Sequence, residues 1–218
     1  MTGIKICGIT THDALIAAVE SKADYIGLMM WEKSPRALTA EQARFMALMT
    51  GGHIKSVAVF VNPHNDDLDA VIPTSSINMI QLHGAEDPQR IAEIKARYGL
   101  PVIKAIRVAT AEDLKGVEKF EDVADWLLFD AKVDPKISIL PGGTGLSFDW
   151  QILEGRTFRK PWMLSGGLHA GNVGRALSLL GPDAVDISSG VEDKPGLKNP
   201  LKIKEFCDAV LAGVISPL

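Results

Sequence analysis

The sequence predicts an α/β protein, a single-domain (β/α)8 TIM barrel over residues 1–218. Three observations predict it. Short apolar or β-branched runs alternate with amphipathic runs of helical spacing from one end of the chain to the other. Eight such pairs fit in 218 residues, with no composition break to mark a linker. The glycines cluster late, after the sixth, seventh and eighth apolar runs. The competing architecture, an open doubly wound sheet, has about five or six strands and often a Gly-rich first turn.

Taken in order, Ile4–Ile9 is the first strand. Thr10 stands three residues before Asp13, the spacing of a capping box, for a helix over Asp13–Lys22. Tyr25–Met30 follows, then a helix from Thr39 and Gln42 to Met49. Ile54–Val61 precedes a weak helix at Asp66–Val71. Ile77–Leu82 leads to Pro88–Tyr98, a helix with an Asp-Pro start and a Gly99 stop. Val102–Val108 precedes a helix capped by Thr110 and Asp113 and running to about Phe120. Trp126–Asp130 is followed by a Pro- and Gly-rich segment and a short helix near Asp149–Leu153. The last two pairs are Trp162–Ser165 with Asn172–Leu180, and Ala184–Ser188 with Leu201–Ala212.

Composition narrows the function. The net charge is −4, from 23 Lys+Arg against 27 Asp+Glu, which argues against a surface built to neutralise many phosphates along a nucleic acid. A single phosphate needs only a few backbone N–H groups. No apolar run approaches the roughly 20 residues that span a bilayer. The start, MTGIKICGIT, lacks the pattern of a signal peptide, and the two cysteines, Cys7 and Cys207, form no CxxC pair. A cytoplasmic protein with reduced thiols is expected, and monomer and homodimer both fit.

In a barrel, chemistry gathers where strands end. The strand ends and following loops carry Cys7-Gly8, Ser34-Pro35-Arg36, Gln81-Leu82-His83-Gly84, Asp130, Gly142-Gly143-Thr144-Gly145, Ser165-Gly166-Gly167, and Asp186 with Ser188-Ser189-Gly190. Gly143, Gly166, Gly167, Ser188, Ser189 and Gly190 suit a phosphate held by converging backbone N–H groups. Cys7 is either a small buried apolar side chain or a base, if its surroundings favour the thiolate. Lys5 shares its strand face and either assists it or pairs with a carboxylate deeper in the barrel. Asp130 closes an apolar strand. Burial would keep such a carboxyl protonated, as a general acid requires; a cap or a loop ion pair is the other reading. Arg36 is a surface cation or a clamp for a carboxylate. His83 touches substrate or is a hydrogen-bonded core histidine, and Asp186 lines the pocket or forms an ion pair. His12, His53, His64 and His169 have no metal-ligand spacing, and no metal is expected. Cys207, at helical spacing with Ile203 and Val210, belongs to the core.

KICGIT at 5–10, SPR at 34–36, QLHG at 81–84, LLFD at 127–130, GGTG at 142–145, LSGGL at 164–168 and DISSGVE…PGLK at 186–198 together resemble the phosphoribosylanthranilate isomerases of tryptophan biosynthesis. The resemblance implies a phosphate-binding (β/α)8 barrel and an Amadori rearrangement of a phosphoribosyl anthranilate, with no cofactor or metal. It implies Cys7 as general base, Asp130 as general acid, Arg36 on the anthranilate carboxylate, and the late Gly/Ser loops on the phosphate. Departures from the family pattern are Ala58 in VAVF, Trp31 before EKSPR, and Asn199 after PGLK. The rival readings are a non-catalytic sugar-phosphate-binding barrel and an isomerase serving both the tryptophan and histidine pathways.

Overall fold

A computed structural model describes residues 2–74, 76–131 and 150–215. Eight strands form the inner wall: β1 (Gly3–Cys7), β2 (Tyr25–Met29), β3 (Lys55–Phe60), β4 (Met79–Leu82), β5 (Val102–Val108), β6 (Trp126–Ala131), β7 (Trp162–Leu164) and β8 (Ala184–Ile187). Each pairs in parallel with the next. β8 returns to β1, from Gly3↔Ala184 to Ile6↔Ile187, and closes the barrel.

Parallel strands of a barrel are buried on both faces, so alternation sorts residues between two cores rather than between core and water. Ile4 and Ile6 point outward to the helices, whereas Cys7 joins an inner cluster with Val57, Val59, Met79, Ile103, Ala105, Leu128 and Met163. The same period of two puts Lys5, Gln81, His83, Arg107, Asp130, Ser165, Asp186 and Ser188 on the inner side. Each fully buried Ile or Leu of the outer core contributes about 1.5–3 kcal/mol relative to exposure.

The outer layer is α1 (His12–Glu20), α2 (Ala40–Met49), α3 (Asn65–Asp69), α4 (Pro88–Tyr98), α5 (Glu118–Glu121), α6 (Val173–Leu180) and α7 (Pro200–Ile215). The Thr39–Gln42 capping box is present. α4 has the predicted bounds, with Asp87 accepting from Arg90 N and Gly99 left-handed at the end. Asn199, where the resemblance expects Asp, caps α7 with its own Oδ1, accepting from Leu201 N at 2.8 Å. No helix among the described residues is long and apolar enough to cross a membrane.

Four local expectations are corrected. Thr11, not Thr10, caps α1, its side chain accepting from Ala14 N, and the helix ends at Glu20. The Thr10 hydroxyl instead donates to Gly196 O at 2.8 Å. The helix expected up to Phe120 is a 3-10 turn, Ala111–Leu114, and then α5. Gly116 separates them at φ +76°, a conformation that a helix cannot continue. The short helix expected near Asp149–Leu153 is, over its described part, a 3-10 turn at Trp150–Leu153. The loop after β8 holds an unforeseen antiparallel pair, β9 (Glu192–Lys194) and β10 (Leu197–Lys198).

Candidate active site

The C-terminal ends of the strands form one mouth, and two hydrogen-bonded networks meet there. The first surrounds Cys7. The thiol is buried at 6% exposure. Below it Lys5, wholly buried, donates to Asp186 Oδ1 at 2.8 Å, and Asp186 Oδ2 accepts from the Ser165 hydroxyl at 3.3 Å. Burial pushes the Cys7 thiol above its ordinary value. The Lys5 ammonium pulls it down, Asp186 pushes it up, and Lys198 pulls it down again. Burial also opposes the charge on Lys5, but Asp186 and Cys7 outweigh it and hold its ammonium firmly protonated.

The Lys198 charge that acts on Cys7 ties this cluster to the loop after β8. Lys198, wholly buried, donates to Ser188 O at 3.0 Å, to Ser188 Oγ at 3.2 Å and to Glu192 Oε1 at 2.7 Å. The Arg36 fork grips Glu192, Nε on Oε1 at 2.7 Å and Nη2 on Oε2 at 2.8 Å. Arg36 lies across Gly8, where a Cβ would come within 2.5 Å of its Cδ. Gly196 likewise lets the β9–β10 turn press on Pro35, whose carbonyl oxygen would lie 2.3 Å from an added Cβ. The SPR and PGLK segments are thus two halves of one contact.

The second network holds Asp130, buried at 3% exposure. His83 Nε2 lies 3.2 Å from Asp130 Oδ2, and Gln81 Nε2 lies 2.8 Å from His83 Nδ1. Beneath this loop Lys104 donates to Glu86 Oε2 at 2.6 Å and to Gly84 O at 2.8 Å. Glu86 also accepts from Asn62 N at 2.8 Å and Gly84 N at 3.0 Å, which fixes the turn that carries His83. Arg107, exposed, occupies the position on β5 in register with Asp130.

The glycine loops lie at the same mouth. Gly166 and Gly167 take positive φ, +88° and +69°, and Asn172 Nδ2 donates to Gly167 O at 2.9 Å. Ser189–Val191 makes a 3-10 turn, and Gly190 packs so closely that a Cβ would meet Leu168 O at 2.2 Å. Gly143 lies outside the described residues. Among the described residues no three His, Cys, Asp or Glu side chains are grouped to hold a metal.

Cys7, Arg36, His83, Asp130, Asp186, Gly166, Gly167, Ser188, Ser189 and Gly190 therefore all lie at one end of the barrel. His83 has Asp130 as its neighbour and Asp186 has Lys5. The sequence reading gave no role to Gln81, Glu192 or Lys198 and did not single out Arg107. Alternation from His83 pointed to Gln81, and alternation from Ala105 pointed to Arg107. Glu192 and Lys198 sit inside the quoted DISSGVE…PGLK segment.

A model of the N-(5'-phosphoribosyl)anthranilate isomerase family matches residues 4–209. The chain belongs to that family. It is 47% identical over 210 residues to N-(5'-phosphoribosyl)anthranilate isomerase of Rhodospirillum centenum, covering 95% of this chain and 98% of that protein. Phosphoribosyl anthranilate isomerase from Thermotoga maritima superposes with a TM-score of 0.86 at 33% identity, over 97% of this chain and 100% of that one. A phosphoribosyl anthranilate isomerase solved in complex with reduced 1-(o-carboxyphenylamino)-1-deoxyribulose 5-phosphate superposes at 0.82, with 32% identity and the same coverage. The closed eight-strand barrel expected from sequence is the fold of these isomerases.

Proposed function

We infer that this chain converts N-(5-phospho-β-D-ribosyl)anthranilate to 1-(2-carboxyphenylamino)-1-deoxy-D-ribulose 5-phosphate in tryptophan biosynthesis. The family match along nearly the whole chain carries the reading. The presence of Cys7 and Asp130 on the inner face of the same mouth supports their roles.

Asp130, protonated, gives its proton to the furanose ring oxygen. The bond from that oxygen to C1′ breaks as the anilino nitrogen lone pair forms an iminium ion. The Cys7 thiolate then takes the proton from C2′, and the electron pair runs to the nitrogen to give an enolamine. Tautomerisation moves a proton from the 2′-hydroxyl to C1′ and yields the ketone. Cys7 is left protonated and Asp130 ionised; release of one proton and uptake of another reset them. Asp130 and Cys7 carry the protons of ring opening and of C2′ abstraction, and the enolamine then tautomerises, so the chemistry asks for no cofactor.

The surrounding charges suit this sequence. Lys5 and Lys198 favour the thiolate that burial disfavours. Arg36, already oriented by Glu192, presents a planar cation for the anthranilate carboxylate. The phosphate faces the backbone of Gly166, Gly167, Ser188, Ser189 and Gly190. The enzyme works in the cytoplasm, where Cys7 stays reduced.

The test is to generate the substrate in place and follow loss of its anthranilate-type fluorescence. The chain should remove it rapidly, and Cys7→Ala should abolish the decay while circular dichroism shows an unchanged fold. No decay with the native chain overturns the activity, and a near-native rate in Cys7→Ala removes Cys7 from the mechanism.

A further inference from the structure

Gln81 lies wholly inside the barrel, its amide nitrogen on His83 Nδ1 and its Oε1 without a hydrogen-bond partner among the described residues. Turning the amide over would put the NH2 group in the unpartnered place. That strands two donors, whereas the present orientation strands one acceptor and one donor, and buried orphan N–H groups are the rarer outcome. The amide nitrogen therefore donates to Nδ1. An Nδ1 that accepts cannot carry a proton, so His83 is neutral and its proton is on Nε2. Nε2–H then donates to Asp130 Oδ2, 3.2 Å away.

We propose that Gln81 and His83 are positioning residues that act through Asp130: Gln81 locks the neutral Nε2–H form of His83, and that N–H occupies Oδ2, so the acid's transferable proton sits on Oδ1. The proposal rests on the reading of Asp130 as general acid. Two consequences follow for the proton transfer. The acid proton is not spent on the imidazole. As the proton leaves Oδ1, negative charge spreads to Oδ2, and the Nε2–H bond strengthens because its acceptor becomes ionic. The interaction is worth more after transfer than before, the condition for lowering a barrier.

The decisive observation is the tautomer. Long-range 1H–15N spectra of the 15N-histidine-labelled chain at neutral pH should show His83 protonated at Nε2 and bare at Nδ1. The signal is assigned by its loss in His83→Gln, or by elimination with His12, His53, His64 and His169 replaced. His83 protonated at Nδ1, or at both nitrogens, overturns the proposal without any need for a folded variant at position 83. Gln81→Glu, which can only accept when ionised, should invert the tautomer.

Kinetics supply the second arm. His83→Leu should lower kcat about 10- to 100-fold, the loss of one hydrogen bond to a charged group, with KM within about 3-fold of native. His83→Gln, which keeps an N–H donor, should be at least about 3-fold faster than His83→Leu by the same reasoning. Equal rates for the two variants, or a loss confined to KM, overturn the proposal. Asp130→Asn separates the two readings. If it turns over normally, the acid assignment has failed; if it is inactive and the tautomer is wrong, only the Gln81–His83 inference has failed.

Discussion

Gly27 is the register partner of Cys7 across the β1–β2 ladder, and the Cys7 thiol fills the space a side chain at Gly27 would need. A Cβ there would lie 2.7 Å from Sγ and 3.0 Å from the Cys7 Cα. The close contact fixes where the base can be. Gly27→Ala should displace the sulfur by a fraction of an ångström and cost about 1–3 kcal/mol of stability from overpacking. Misplacing a reacting group by about 1 Å costs on the order of 100-fold, so kcat should fall by 10- to 100-fold while the barrel still folds. Steady-state kinetics with a thermal melt check it. A variant with native kcat would show that Sγ position is not limiting.

Glu192 is shared by two cations, and its neutralisation should be felt in both stability and binding. Burial alone would raise its carboxyl, but hydrogen bonds and charge from Arg36 and Lys198 outweigh burial and hold it below the ordinary value. A depressed folded value stabilises the protein above the unfolded value of about 4.3 and is lost as pH falls through the folded value. The native melting temperature should therefore drop as pH is lowered below about 4.3, and Glu192→Gln should flatten that drop. At neutral pH the variant leaves Lys198 and Arg36 facing each other, and should lose about 3 kcal/mol, or on the order of 6–12 °C in Tm. KM should rise, because Arg36 loses its orientation. Calorimetry across pH and a substrate titration read both effects.

What the sequence made legible depended on how local each cause was. β5, Val102–Val108, and α4, Pro88–Tyr98, were readable to the residue because both are punctuated by adjacent Pro or Gly. The cap of α1 was misplaced by one residue because Thr10 and Thr11 are equally good caps, and only the tertiary contact of Thr10 with Gly196 decides between them. Cys7 and Asp130 stood out as polar ends of apolar strands. Glu192 did not, because its meaning is its pairing with Arg36, 156 residues away, through a β9–β10 pair too short to show a period.

Gly190 and Gly174 give opposite expectations from the same substitution. Gly190→Ala would drive a Cβ to 2.2 Å from Leu168 O, forcing apart the loops after β7 and β8. The phosphate proposed to sit between them should bind less well, with KM up by about 10-fold, equivalent to about 1.4 kcal/mol, and kcat little changed. Gly174 lies inside α6 with nothing within 4 Å of an added Cβ. Gly174→Ala should stabilise the chain by about 0.5–1 kcal/mol and leave kinetics native, since it trades backbone freedom for helix propensity alone. An unchanged KM in Gly190→Ala would move the phosphate away from this seam.

The Lys5–Asp186 pair makes the acidity of Cys7 separable from the stability of the barrel. Lys5→Met leaves Asp186 buried without its cation, which should cost about 3–5 kcal/mol. It also removes the strongest influence lowering the Cys7 thiol, so the thiol should climb further above its ordinary value. A base works ionised, so the limb of kcat/KM that rises with pH should move to higher pH in Lys5→Met. In Lys5→Met/Asp186→Asn both neighbouring charges vanish. Asp186 pushes the thiol up and Lys5 pulls it down more strongly, so the limb should lie between those of the native chain and the single variant. Stability should largely return, because a neutral amide can still accept from the Ser165 hydroxyl. Cys7 is coupled to its charged neighbours Lys5, Asp186 and Lys198, so the comparison between variants carries the meaning. A rising limb at the same pH in all three chains would show that the group titrating there is not Cys7.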